Sequence, residues 1–347
     1  MSAYAERYRV EVRRGTPGAT EAEHEVTAIG WRPDGADASL GDADFVTFFR
    51  SGCKPFQAVP LVERGHAERF GFGARELAVM SASHNGAAEH VEVVRRMLAR
   101  IGLGEDKLLC GIHEPEDPEH AAALRAGRLE PSPVYNNCSG KHAGMLALAV
   151  AEGWPVEDYV AFDHPVQVAC VGAVAEVCGV AARELPWGVD GCSAANPAMP
   201  LSAMARGFSR FARARAESGE ARERALAALR AAMAEHPTLV AGRGRFCTDL
   251  MEATRGEVVA KVGAEGLECL AIARTGEGVA IKVKDGARRA VAPAVVAFLR
   301  DRGHLPPVAE AALERWARPV VRNHRGLTVG ELRAAKATAP AAVARVP

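Results

Sequence analysis

Ser51-Gly52-Cys53-Lys54 sets a hydroxyl and an amine three residues apart, and on a helix that spacing brings both to one face. The lysine could then take the serine's proton and turn the hydroxyl into a nucleophile. A free lysine amine has a pKa of about 10.4, so the role requires burial or a neighbouring cation to bring it towards ~7–8. Taken alone, the pair is short enough to arise by chance and reads as a solvated helix start. Ser83-His84-Asn85, of the form SxN, and Lys261-Val262-Gly263, of the form KxG on an expected strand, add a second serine and a second lysine.

The three motifs together, in this order and with a sheet, helices and a sheet around them, match the set used by serine β-lactamases and penicillin-binding enzymes. A second constellation lies in Asn136-Asn137-Cys138-Ser139-Gly140-Lys141-His142, where Ser139 can cap a helix starting at about Lys141, and in Asp190-Gly191-Cys192. Two thiolates and a nearby nitrogen could hold zinc and leave a fourth position for water. By residue type His142 is the first choice of nitrogen, while a buried free cysteine is the commoner reading of either thiol. HEPEDPEH, residues 113–120, reads as a solvated loop, and Met80 and Phe246 as core.

The elements that must position these groups follow from periodicity. Tyr8 to Arg13 and Glu25 to Ile29 alternate as strands, with a turn at Pro33-Asp34-Gly35. Pro55 to Arg64 suits a helix that opens near Ser51, and His90 to Ile101, His142 to Glu152, Pro165 to Cys178 and Ala221 to His236 carry helical spacing. Glu257 to Val262, Leu267 to Ala273 and Gly278 to Val283 predict an antiparallel meander, Val291 to Arg302 a covering helix, and Ala334 to Pro347 a frayed tail. The fold class is thus α/β of the α+β kind, an antiparallel sheet from N- and C-terminal strands flanked by helices with a mainly helical lobe inserted. We expect one catalytic domain over residues 1–335, its sheet lobe at about 1–60 and 240–335, its helical lobe at about 61–239, and a disordered tail at 336–347.

With 347 residues, 48% of them hydrophobic, the chain can bury an enzyme-sized core. Its 43 basic residues balance 43 acidic ones, which argues against nucleic acid or an anionic membrane surface as partner. Residues 1–14 lack the basic and apolar regions of a secretory signal, no apolar run spans a membrane, and eight scattered cysteines then suit a reducing cytoplasm.

From about Arg50 to Lys284 the chain resembles the thermolabile rhizobial type of L-asparaginase, the asparaginase II family, which is related in fold to serine β-lactamases and glutaminases. The resemblance is carried by Arg50-Ser51-Gly52-Cys53-Lys54-Pro55, Ser81-Ala82-Ser83-His84, the string NNCSGKHAGM at 136–145, Gly188-Val189-Asp190-Gly191-Cys192 and Lys261-Val262-Gly263-Ala264-Glu265-Gly266. It departs at Asn85-Gly86-Ala87-Ala88, which carries no acid. What it implies is L-asparagine hydrolysed to L-aspartate and ammonia by two Ser–Lys pairs, Ser51 with Lys54 and Ser83 with Lys261, in a cytoplasmic homodimer of asparagine catabolism. It also implies zinc on Cys138, Cys192 and Lys141 in support of substrate binding, which leaves His142 to support those ligands. Arg50, Asp190 and His84 are the candidates for holding the amino-acid substrate. The rivals are a β-lactam-hydrolysing, penicillin-binding or glutaminase-type serine enzyme and a non-catalytic zinc-stabilised binding protein.

Overall fold

The alternation at both ends of the chain builds one antiparallel sheet. The computed structural model describes residues 6–16 and 18–338. Its strands are β1 (Glu6–Arg14), β2 (Ala19–Arg32), β3 (Gly35–Leu40), β4 (Val46–Phe48), β5 (Trp187–Val189), β6 (Ala195–Pro200), β7 (Val258–Gly263), β8 (Leu267–Ile272), β9 (Glu277–Val283), β10 (Val320–Arg322) and β11 (Thr328–Thr338). The large sheet runs β10, β11, β1, β2, β9, β8, β7. β2 serves three neighbours: Ala19 to Val26 pairs with β1, Val26 to Trp31 with β9, and Ala28 to Arg32 with β3 on the edge that β1 leaves. The expected meander is β7–β8–β9. The tail expected to fray from Ala334 is strand as far as Thr338, because Ala334 to Thr338 continue the ladder with Val10 to Glu6; residues 339–347 lie outside the described residues.

Adjacent residues of a strand face opposite ways, and β9 shows what covers each side of the sheet. A Cβ on Gly278 would sit 2.0 Å from the Ala205 carbonyl oxygen and from the Ser209 nitrogen, so only glycine admits the helix Leu201–Arg213 onto this face. Glu277 points the other way, to Arg302 (3.1 Å) and His304 (3.0 Å), which follow the helix Val291–Asp301 on the opposite face. The Tyr8 hydroxyl donates to Asp301 at 2.5 Å and ties the same helix to β1.

Sequence periodicity gave no expectation of Leu201–Arg213, and the helix falls within the stretch assigned to the helical lobe although it packs on the sheet. Its Phe208 and Phe211 pack with Phe49 and Phe56 (5.2 Å between the Phe56 and Phe208 centroids), which fastens the segment around Ser51 to the sheet. Burying each of these rings contributes about 1.5–3 kcal/mol. The helix expected from Pro55 to Arg64 is broken into Lys54–Gln57 and Val59–Glu63, since Pro60 has no N–H to continue the ladder.

The remaining helices keep close to their expected bounds, at Ala88–Arg100, Ser139–Glu152, Pro165–Val177 and Ala221–Glu235. The acidic stretch 113–120 is a loop only as far as Asp117, whose carboxylate accepts from the His120 N–H and caps the helix Pro118–Arg125. All eight cysteines are buried and unpaired, as expected of thiols. Among the described residues no helix is long and apolar enough to cross a membrane.

Candidate active site

β4, β6 and β5 form a small sheet that delivers the first motif. The Phe49 N–H donates to the Pro197 carbonyl (2.8 Å) and the Arg50 N–H to Asn196 Oδ1 (2.9 Å). These bonds hold Arg50 at φ +50°, a left-handed conformation that costs a non-glycine residue about 1–3 kcal/mol. A single 3₁₀ turn, Arg50–Cys53, then runs into Lys54–Gln57 and sets Ser51 and Lys54 at helical spacing. Cys53 is buried and its thiol donates to the Arg50 carbonyl at 3.0 Å, so it does not share the face of Ser51.

Lys54 is 1% exposed, and its Nζ donates to the Ala82 carbonyl (2.6 Å), Ser83 Oγ (3.0 Å) and the Asn137 carbonyl (3.1 Å). Three acceptors satisfy all three protons of an ammonium. Lys261, on β7, places its Nζ 2.7 Å from Ser83 Oγ and 2.9 Å from the Val262 carbonyl. The structure therefore pairs Ser83 with Lys261 as expected, but Lys54 bonds Ser83 and not Ser51, so that Ser83 holds both lysines. Ser83 is fixed in turn by its N–H, which donates to the Val240 carbonyl at 2.9 Å.

Lys261 is buried, and burial together with the cation of Lys54 brings its pKa down to about 7 against the opposing pull of Cys247 and Glu268. Near neutral pH one lysine of the pair can therefore be a free amine while the other is an ammonium. The Ser83 hydroxyl bridges them.

The second constellation is positioned by the helix Ser139–Glu152. A Cβ on Gly140 would lie 2.3 Å from the Val79 carbonyl oxygen, and one on Gly144 2.7 Å from Met80 Sδ, so these two glycines let the helix close onto Ala74–Met80, the helix that leads to Ser83. The ligand atoms of Cys138, Asp190 and Cys192 lie within 4.8 Å of one another, and Lys141 Nζ lies 3.0 Å from Cys192 Sγ.

Burial disfavours the Lys141 ammonium, yet the Cys192 and Cys138 sulfurs and Asp190 outweigh it and raise its pKa above that of free lysine. Hydrogen bonding between the neighbouring sulfurs holds Cys192 low and Cys138 high, and the Cys138 thiol also donates to Asn137 Oδ1 at 2.9 Å. His142 gives Nδ1 to the Tyr159 hydroxyl at 2.7 Å, and its buried Nε2 has no hydrogen-bond partner, although the ring interacts with Cys192. Two sulfurs, a carboxylate and two nitrogens, one of them unsatisfied, fit a borderline-soft metal ion.

Ser51, Ser83 and Asn137 open onto one cavity of about 470 Å³, which Arg245, Cys247 and Glu268 also line. Arg50 and Asp190, expected to bind substrate, bind each other at 2.7 Å, with Asp190 also facing Cys192. His84 does not fit that expectation: it is 1% exposed and stacks on His90 at 4.8 Å. Its Nδ1 accepts from the Gly86 N–H, so Nε2 carries the proton toward Ser139 Oγ at 3.1 Å, and burial first, then His90 and nearby cations, keep the ring neutral. Phe246 lies at the cavity wall against Trp316 (5.4 Å), not in the core as expected.

Sequence reasoning missed Asn196, Asn137 as an acceptor, and Glu268. Only Glu268 carried a signal, an acid inside the otherwise uncharged run Leu267–Ile272, every residue of which is buried.

Residues 10–334 match the family model of L-asparaginase II, nearly the whole chain. The protein belongs to the L-asparaginase II family. No curated protein sequence matches it. Among solved structures it is similar to Mglu in its native form in the presence of 4.3 M NaCl, with 16% identity and a TM-score of 0.38, covering 80% of this chain and 61% of Mglu. It is also similar to a β-lactamase candidate from Bacteroides dorei DSM 17855, with 13% identity and a TM-score of 0.38, covering 74% of this chain and 84% of that one. The chain thus spans less than two thirds of the length of Mglu. At these TM-scores neither likeness bears on what the chain does.

Proposed function

We propose that the protein is an L-asparaginase that hydrolyses L-asparagine to L-aspartate and ammonia through an acyl-enzyme on Ser51. The observation that carries this reading is Ser83 Oγ held between two lysine amines, 3.0 Å from Lys54 and 2.7 Å from Lys261, on the cavity that Ser51 shares. Lys54 gives a proton to Ser83, whose own proton passes to the neutral Lys261, and Lys54 is left free to take the proton of Ser51. Ser51 Oγ attacks the side-chain amide carbon, the C–N bond breaks, and the leaving nitrogen receives a proton back from Lys54 to depart as ammonia. Water then attacks the ester by the same route and frees aspartate and Ser51.

The donor set around Cys138, Cys192 and Lys141 fits the zinc that the resemblance implies, and Asp190 and His142 lie against it. Bound there, zinc would order the pocket and help orient substrate without reaching the scissile bond. Asp190 would carry that order to Arg50, with which it is paired. The homodimeric and cytoplasmic state implied by the resemblance belongs to the same reading. Ammonia release measured across asparagine, glutamine, small peptide amides and a chromogenic cephalosporin tests it. Turnover of asparagine supports it; turnover of the cephalosporin alone, or of nothing, refutes it.

A further inference from the structure

An amino-acid substrate brings an α-ammonium group that needs an acid, and Asp190, expected for the task, is engaged: Oδ1 accepts from Arg50 Nε at 2.7 Å and Oδ2 faces Cys192 Sγ at 3.5 Å. Three acids line the cavity. Glu116 is taken by Arg245 and Arg288, and Glu265 is exposed. Glu268 is different. It is 1% exposed, pairs with Val262 in the β7–β8 register next to Lys261, and has no ion-pair partner among the described residues. Its one hydrogen bond comes from Cys247 Sγ, 3.1 Å from Oε1.

Burial and the charge of Glu268 raise the Cys247 thiol well above its ordinary pKa, so Cys247 stays a donor and never competes as an anion. A buried carboxylate with a single thiol donor and no cation in direct contact is incompletely compensated. Burial lifts Glu268 to about 7, against the thiol bond and the cations of Lys261, Arg245 and Arg288. A ligand cation entering the cavity would complete its shell.

We propose that Glu268 is the receptor for the α-ammonium group of the substrate and that the protein therefore selects amides carrying a free α-amine. This rests on the amidohydrolase reading above. The test compares kcat/KM for L-asparagine and for succinamate, the same amide without the α-amine, in the full chain and in Glu268→Gln.

A charged hydrogen bond of this kind corresponds to about 10- to 100-fold, so the asparagine-to-succinamate ratio falls by that factor in the variant. Equal losses on both substrates, or an unchanged ratio with an active wild type, overturn the ammonium site alone. Ammonia from neither substrate in the wild type overturns the amidohydrolase reading and the ammonium site with it. Should Glu268→Gln fail to fold, Glu268→Asp, which withdraws the charge by one methylene, must lower the same ratio; an unaltered ratio again overturns the proposal.

Discussion

Ser83 Oγ lies 2.7 Å from Lys261 Nζ, and the two residues come together across 178 positions of sequence. A serine in the segment just past the Ala74–Met80 helix and a lysine on a sheet strand thus form one proton-transfer unit, which Lys54 joins from a third element.

Ser83→Ala and Lys261→Ala will each lower kcat by about 10²- to 10⁴-fold, the range expected for a lost proton-transfer group. The double variant will lose little more, since the residues act as one unit. Steady-state ammonia release on the three variants checks this; multiplicative losses would show that they act separately.

Because Lys261 acts as the neutral amine, kcat/KM for asparagine will rise with pH through about 7, where burial and Lys54 place its pKa. The linkage to stability has the opposite consequence for a substitution. The folded pKa lies below the unfolded value of about 10.4, so the buried cation destabilises the fold fully below about 7 and the penalty fades as pH rises towards 10.4. Lys261→Met will therefore abolish most activity yet raise Tm at pH 6 by more than at pH 9. Thermal unfolding at the two values decides it, and a uniform loss of Tm contradicts it.

At the cysteine group, chelation will raise KM for asparagine more than it lowers kcat, and Cys138→Ser or Cys192→Ser will mimic it. Thiolates and a neutral lysine are needed to bind zinc, so occupancy will fall on acidification. Elemental analysis beside kinetics tests both points. Zinc near one equivalent with kcat collapsing at unchanged KM would place the metal in the chemistry, and absence of zinc would reduce Cys138 and Cys192 to core thiols.

Gly140 and Gly144 give a packing prediction. Gly140→Ala drives a methyl to 2.3 Å from a backbone oxygen that cannot yield, whereas Gly144→Ala meets the flexible end of Met80 at 2.7 Å. Overpacking costs about 1–3 kcal/mol, with Gly140→Ala at or above the top of that range and Gly144→Ala near its lower end. Denaturant unfolding ranks them; equal costs would contradict the helix contact. Gly140→Ala will also lower kcat, since the contact sets Ser83 against Lys54.

The sheet from both termini, the meander and most of the helices were legible because strong periodicity marks them. Leu201–Arg213 was not, as its place depends on Gly278 leaving room on a strand 65 residues further on, a relation no local pattern contains. The tail failed for a similar reason: Ala334 to Thr338 reads as frayed by composition, and only the partner strand β1 makes it a strand. At the site, Ser51, Lys54, Ser83, Lys261, Cys138 and Cys192 could be picked out by residue type and motif, whereas Lys141 followed only from the family resemblance, since residue type favours His142. The resemblance also gave the pair Ser83–Lys261 but not the partner of Lys54, because whether Lys54 reaches Ser51 or Ser83 depends on where the Ala74–Met80 helix ends in space. Glu268 was visible only as an acid in a buried strand.

The proposed reaction depends most directly on Ser51 being the nucleophile. Acid quenching of the protein during turnover of L-asparagine, followed by peptide mass mapping, will show an aspartyl ester on the peptide containing Ser51, lost in Ser51→Ala. An ester on Ser83, or ammonia release from Ser51→Ala at the wild-type rate, would contradict it.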